Sequence, residues 1–314
     1  MQFKNKENRI EVTMINSKHW LACLDLSNMD EILIGYTAFL TSVVKPKTIT
    51  FFHTIESGPT ALEIVEQFPE LETEEEFLDL IRNELQEKVS GHFDDNSIEV
   101  RIIIKQGKPT DQIIDVTNSL EPDLILMGKK IGYTGEGVIP KRILKYVSSS
   151  ILFVPENSRY SLEKILVPVD FSEESAKSIL TAKGLVDTDN VTAQHIYRYR
   201  AQFFPYTLSE DEKRDVDQKI EKKMQKFKNS NGISDEVHFE LTLHKKGKIA
   251  DEVYRQVVRD QIDFIIVSLK SKKIGNLVSH DFTDKIVDYA FGVPLLVQKN
   301  KEKHRKFLQS LFGD

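Results

Sequence analysis

The sequence predicts an α/β protein of two tandem, doubly wound, open parallel-sheet domains, each an α/β sandwich. Three observations lead there. The chain has 314 residues, long for one domain and comfortable for two of about 150. Short runs that are apolar throughout, such as residues 124–127 and 264–267, alternate with amphipathic segments. Strands of that kind belong in a parallel sheet with helices on both faces. Finally, the second half of the chain repeats the first.

The repeat is read strand by strand. Trp20-Leu-Ala-Cys-Leu-Asp25-Leu-Ser27 matches Ile165-Leu-Val-Pro-Val-Asp170-Phe-Ser172, an apolar strand ending in Asp-apolar-Ser. The second strands, residues 48–53 and 191–195, both end in histidine, His53 and His195. The third strands, residues 99–104 and 236–241, lead to Gly107-Lys108 and Gly247-Lys248. From there the spacing is identical: Gly107, Asp111 and Asp123 against Gly247, Asp251 and Asp263. Each final aspartate opens a fourth strand, and residues 151–154 and 295–297 supply a fifth. Two domains follow, 1–157 with an N-terminal extension and 158–314 with a basic C-terminal tail. The polar connector Pro155-Glu-Asn-Ser-Arg159 is short, so the halves are expected to pack together. The fifth strands are expected to pair antiparallel across an internal pseudo-two-fold, covering an edge of each sheet.

Helices fill the intervals. Ser27 and Ser172 stand as N-caps, each with acidic residues in the following turn. Thr73 before Glu74-Glu75-Glu76 opens a helix whose apolar face is Phe77, Leu80, Ile81, Leu85 and Val89, and its counterpart begins near Ser209. Third helices start near Pro109 and Ile249; fourth helices run through 143–147 and 286–291. In such a fold ligands sit beyond the carboxyl ends of the strands.

Bulk properties narrow the class. The chain is 40% hydrophobic and 29% charged, a globular balance. Cys23 is the single cysteine, which excludes an internal disulfide, fits a reducing cytosol, and reads as a small buried hydrophobe in the first strand. The N-terminus is polar, and the longest mostly apolar stretch, 32–44, is shorter than the ~20 residues of a membrane span. The expected location is the cytoplasm, with no membrane partner. Residues 1–157 carry 16 Lys+Arg against 25 Asp+Glu, and an acidic domain without a basic face makes nucleic acid an unexpected partner.

The Lys164-Ile-Leu-Val-Pro-Val-Asp170-Phe-Ser172 opening, the second-strand histidines, the Gly-x-x-x-Asp after strand three and the Asp123-Leu-Ile-Leu-Met-Gly128 strand together resemble the universal stress protein family. The likeness spans nearly the whole chain in two copies. It implies an adenine nucleotide alpha hydrolase-like fold and a role in the stress response. In the nucleotide-binding branch the aspartate ending strand one contacts adenosine, and a Gly-x2-Gly-x9-Gly-(Ser/Thr) loop after strand four wraps ribose and phosphates. Carried over, these functions fall on Asp25, Gly128, Gly132 and Gly137 in the first half and on Asp170 in the second. Lys129 and Lys130 add charge to the first loop. The chain departs from the pattern: the first loop is shortened, with Val138 where a hydroxyl belongs. In the second, Ser268 replaces the first glycine and His280-Asp281 occupy the final position, where a carboxylate repels phosphate. The alternative is that these loops are plain turns and the aspartates only cap-region carboxylates.

Catalytic signatures fail. No P-loop or dinucleotide fingerprint, nucleophile elbow or His-Glu-x-x-His is present. His280, Asp281 and Asp284 read as a helix start rather than as metal ligands, and His238 with His244 as surface residues lacking a third ligand. Tyr197-Arg-Tyr-Arg-Ala-Gln-Phe-Phe-Pro-Tyr206 either stacks on a ligand or covers the sheet. The basic run 299–306 followed by apolar residues at helical spacing reads as a docking helix, for an acidic partner or for the acidic first half, or as a frayed end. The expectation is a non-enzymatic binding or regulatory protein. It needs no cofactor, contains an intramolecular pseudo-dimer, and is open to homodimers or an unidentified protein partner. The alternative is an ATP-binding protein using the first domain only, with at most slow hydrolysis.

Overall fold

The computed structural model describes residues 17–56, 73–93, 97–130, 138–199, 208–269, 272–274, 277–279, 281–303 and 305. In the first half, strands β1 (His19–Leu24), β2 (Thr48–Ile55), β3 (Glu99–Gln106), β4 (Leu124–Lys129) and β5 (Ser150–Pro155) alternate with helices α1 (Met29–Thr41), α2 (Glu74–Ser90), α3 (Pro109–Leu120) and α4 (Val138–Tyr146). The second half follows with β6 (Ile165–Pro168), α5 (Glu173–Lys183), β7 (Val191–Tyr197), α6 (Glu210–Asn231), β8 (His238–Leu243), α7 (Ile249–Asp260) and β9 (Phe264–Ser268). It ends with β10 (Lys272–Ile274), β11 (Leu277–Ser279), α8 (Asp281–Val287) and β12 (Leu295–Gln298).

Ten strands make one sheet in the order β3-β2-β1-β4-β5-β12-β9-β6-β7-β8. Each half contributes the same winding, with its first strand between the second and fourth. All neighbours are parallel except β5 and β12, where Leu295 faces Phe153, Leu296 faces Leu152 and Val297 faces Ile151 in antiparallel register. The expected pairing of fifth strands is therefore the seam of the molecule. It covers the inner edges only, since β3 and β8 remain as outer edges.

Successive side chains of a strand point to opposite faces, and each face has its own core running through both halves. Trp20, Ala22, Leu126, Leu152, Leu296, Val167 and Ile266 line the face packed by α1, α2, α5 and α6. Leu21, Ile125, Ile151, Phe153, Leu295, Leu166 and Ile265 line the other, under α3, α4, α7 and α8. The seam residues are almost completely buried. At roughly 1.5–3 kcal/mol per fully buried large apolar side chain, the seam is built like a domain interior.

Local chemistry agrees with most sequence expectations. Thr73 and Ser209 each close a capping box, with Glu76 and Glu212 returning the bond. Ser172 caps α5, and its box partner is Ser175. At α1 the N-cap position falls on Asn28, which makes no side-chain bond; Ser27, one residue earlier, donates its hydroxyl to Asp25 and accepts the Met29 amide at 3.2 Å. The last helix, Asp281–Val287, ends earlier than the expected 286–291. Between β9 and α8, where an open loop was expected, β10 and β11 form a small antiparallel hairpin. Cys23 is only partly buried; it packs against a core, and desolvation pushes its thiol up to about 12.

Two lysines tie the halves together. Lys299, just past β12, is 2% exposed and donates at 2.6 Å to the carbonyls of both Leu144 and Val147, at the end of α4. Lys129, ending β4, donates to the carbonyls of Val287 and Tyr289 beyond α8. Each ammonium thus satisfies terminal helix carbonyls of the other half. The beginning of the basic tail spans both halves too. Lys301 bonds the Glu121 carbonyl at 2.6 Å and the Asp123 carboxylate at 3.3 Å, Arg305 pairs with Glu121 at 3.3 Å, and Lys303 pairs with Glu174 at 3.2 Å. Residues 306–314 lie outside the described residues.

Two tests follow from these contacts. Burial lowers the Lys299 pKa to about 7, against about 10.4 in an unfolded chain. The cost of the buried ammonium is complete below pH 7 and is relieved as pH rises toward 10, because the native state then releases its proton first. Lys299→Met lacks that relief. Urea melts should show the stability difference shifting toward the wild type between pH 6.5 and 9, on the order of 2 kcal/mol; a pH-independent difference contradicts this. Removal of residues 300–314 deletes partly exposed ion pairs worth at most about 1 kcal/mol each. The truncated chain should keep its far-UV spectrum and lose only a few degrees in Tm.

Candidate functional site

Because β5 and β12 run antiparallel, the carboxyl ends of the two strand sets face opposite ends of the sheet. The two strand-end positions where such a fold is expected to hold a ligand in a crevice therefore lie at opposite ends of the sheet.

In the first, β1 ends at Leu24 and the chain turns through Asp25, Leu26 and Ser27 into α1. Leu26 takes a left-handed conformation with φ 60°, uncommon for a residue with a branched side chain. Three sets of bonds hold it there. Asp25 Oδ1 accepts from the Ser27 amide at 3.0 Å and from the Ser27 hydroxyl at 2.5 Å. Lys130 reaches Asp25 Oδ2 at 3.3 Å. Beneath the turn, the buried Asp30 accepts the amides of Asp25 and Leu26, each at 2.9 Å. Partial burial opposes ionisation of Asp25, but the Ser27 bonds and Lys130 outweigh it and hold the carboxyl below its ordinary value. Asp30 goes the other way: desolvation dominates and pushes it up to about 6. Sequence reading missed Asp30; the signal was a carboxylate in the first helical turn, five residues past Asp25 and in reach of free amides.

The second-strand histidine supports the same turn. His53 Nδ1 lies 3.1 Å from the Leu24 carbonyl, and His195 Nδ1 lies 2.8 Å from the equivalent Val169 carbonyl. A carbonyl only accepts, so Nδ1 carries the proton in both. Desolvation lowers both imidazoles below their ordinary value. These histidines are neutral buttresses of the first-strand ends.

Of the glycine loop, Gly128, Lys129 and Lys130 are among the described residues. Gly132 and Gly137 lie outside the described residues. Gly128 ends in close contact with Met29: an added Cβ would collide with the Met29 side chain, so this glycine makes room for α1. Of the two lysines assigned to phosphate, Lys130 pairs with Asp25. Lys129 is spent on the seam, and desolvation lowers it to about 8.

The second crevice keeps the turn and changes its surroundings. Asp170 Oδ1 accepts from the Ser172 amide at 3.1 Å and from its hydroxyl, and Phe171 is left-handed with φ 62°. Ser175 stands where the first half has Asp30, and its hydroxyl accepts the Ser172 amide at 3.1 Å. Phe171 stacks on His195 with ring centres 4.1 Å apart. Glu173 and Glu174 follow at the start of α5, partly answered by Lys303 of the tail. Asp281 opens α8, while His280 lies outside the described residues. Tyr197 and Tyr199 both donate to Asp217 of α6, so this part of the aromatic segment covers the sheet.

The two other histidines separate. His238 is exposed beside Glu240, but His244, expected at the surface, is 3% exposed. It lies past the end of β8, with Nδ1 2.9 Å from Glu252 and Nε2 3.2 Å from the Gly247 carbonyl. The loop before α7 folds back over it. Among the described residues no group of three or more His, Cys, Asp or Glu is placed to hold a metal. No described helix is long and apolar enough to cross a membrane.

No protein-family model matches the chain, and no curated protein matches it. Solved structures do. A functionally unknown protein from Pseudomonas aeruginosa PAO1 aligns over 95% of this chain and 98% of its own at 13% identity, with a TM-score of 0.64. A putative universal stress protein from Pseudomonas aeruginosa UCBPP-PA14 gives the same TM-score and coverage at 12% identity. A universal stress protein from Archaeoglobus fulgidus DSM 4304 covers 90% of this chain and 99% of its own at 16% identity, with a TM-score of 0.57. The chain thus has the fold of two-module universal stress protein structures over nearly its whole length.

The Gly128–Met29 contact yields a test. Gly128→Ala should lower stability by about 1–3 kcal/mol through overpacking. Adding Met29→Ala should recover part of that loss, measured as a double-mutant cycle; purely additive losses would place the strain elsewhere.

Proposed function

We propose that this chain is a universal stress protein-like binding and regulatory protein of the cytoplasm, without catalytic activity of its own. Its modules are residues 1–157 and 158–314, paired within one chain. The observation that carries the reading is the use of the charged groups at the first crevice. A nucleotide loop needs cations or amides arranged around phosphate, and Lys129 is committed to carbonyls across the seam. Asp25 is itself engaged by Ser27 and Lys130. The second crevice concentrates negative charge, with Asp170, Glu173 and Glu174 within five residues, which disfavours phosphate.

A second reading is favoured by the intact Asp25 turn and its buttress His53. On it, the first crevice takes ATP through Asp25 and the segment from Gly128 to Gly137, and hydrolyses it slowly at most. Proton transfer and phosphoryl transfer need a tuned acid or base close to the substrate. Asp25, hydrogen-bonded and held ionised, is a poor general acid. Isothermal titration with Mg-ATP should find at most one weak site per chain, lost in Asp25→Ala, and phosphate release no higher than trace. Two equivalent sites, or a robust ATPase rate abolished by Asp25→Ala, would refute the non-catalytic reading.

A further inference from the structure

The two turns that present Asp25 and Asp170 are built alike but fastened differently. In the second half the residue at the third position of the helix is Ser175, whose neutral hydroxyl holds the Ser172 amide. In the first half that place belongs to Asp30, 1% exposed, whose two oxygens take the amides of Asp25 and Leu26. A carboxylate can accept both bonds. A carboxylic acid keeps acceptor oxygens, but without the negative charge its bonds to the two amides are markedly weaker than those of the carboxylate. The segment under this fastener is the left-handed Leu26, which few residues adopt without support.

We propose that Asp30 is a proton-operated fastener: its ionised carboxylate locks the Asp25–Leu26 turn, and its protonation weakens its hold on the two amides and loosens the first crevice alone. The proposal rests on the first crevice being the binding site only for its functional meaning; the conformational step stands without it.

The charged and titratable groups around Asp30 favour a transition in the physiological range. Asp25, on the turn above, is held ionised and disfavours a second negative charge. Lys88, on α2, favours ionisation from a distance but is already bonded to Glu84 at 2.9 Å. His53, on β2, is held neutral by burial and faces the Leu24 carbonyl. Lys130, beyond β4, pairs with Asp25 rather than with Asp30. Glu31, next along α1, turns to His92 at 3.3 Å. Desolvation of Asp30 outweighs the two amide bonds and puts its titration at about 6. Above that value the turn is held by a carboxylate, and below it by a weaker, neutral acceptor. The sign for stability follows. The folded-state value lies above the ordinary carboxylate value, so the native state binds the extra proton, and this group's contribution falls as pH rises from about 4 through 6.

The experiment is a pH titration of the ligand-free full chain followed by amide and carboxyl NMR between pH 4.5 and 8. The expected result is that the Asp30 carboxyl and the Asp25 and Leu26 amides move together with one midpoint near 6. One of those amides should exchange at least tenfold faster at pH 5 after correction for intrinsic rates. The Asp170, Phe171 and Ser172 amides serve as the control and should not follow. Asp30→Ser, which copies the arrangement of the second half, should abolish the transition; the wild-type titration decides the matter if that variant fails to fold. A midpoint below 4.5, or amides of 25 and 26 that stay flat while Asp30 titrates, overturns the proposal. Loss of ATP binding in the separate titration above would leave this transition intact, so the two readings fail independently.

Discussion

Everything in this molecule is arranged around one antiparallel pairing, that of β5 with β12. Parallel sheets of this winding end on a strand whose outer backbone groups need a partner. Here each half supplies that partner to the other, and the side chains of the pairing are buried on both faces. Both cores are therefore continuous through the seam, and the helix carbonyls at its margins are answered by Lys129 and Lys299 from across it. The direction of the pairing also sends the two crevices to opposite ends.

The duplication has left the two halves alike in backbone and unlike in chemistry. Both keep the Asp-apolar-Ser turn, the left-handed central residue and the histidine that donates to the strand-end carbonyl. The first half places a buried carboxylate under the turn, while the second uses a hydroxyl and surrounds the mouth with acids. The second half also inserts the β10–β11 hairpin where the first has a glycine-rich run.

Much of the fold was legible because it depends on local periodicity and on repetition. The apolar strands, the capping boxes at Thr73 and Ser209, and the starts of α3 and α7 at Pro109 and Ile249 all fall where pattern and capping place them. The seam was legible as well, since two apolar fifth strands joined by a short connector leave few other ways to cover an edge. The candidate site was less so. Asp25 and Asp170 were found through the repeat, but the destination of Lys129 depends on carbonyls some 160 residues away, which no local pattern contains. Asp30 looked like an ordinary acid in a first helical turn, though it serves the turn before the helix. His244 was misread because the loop that buries it lies beyond its strand. The β10–β11 pairing did carry a sequence signal: a Gly-Asn pair, Gly275-Asn276, stands between two short runs, a pattern typical of hairpins.

The seam has a consequence for how the chain is made. β5 is complete by Pro155, but the strand that covers it, β12, is synthesised about 140 residues later. During that interval the emerging first half presents a bare, largely apolar strand to its surroundings, a template for pairing with any similar edge. Crowded polysomes would bring identical nascent edges close together. The order of synthesis thus makes this joint the point at which two growing copies could exchange partners, and holding that edge until the last strand arrives becomes a task for the folding machinery of the cell.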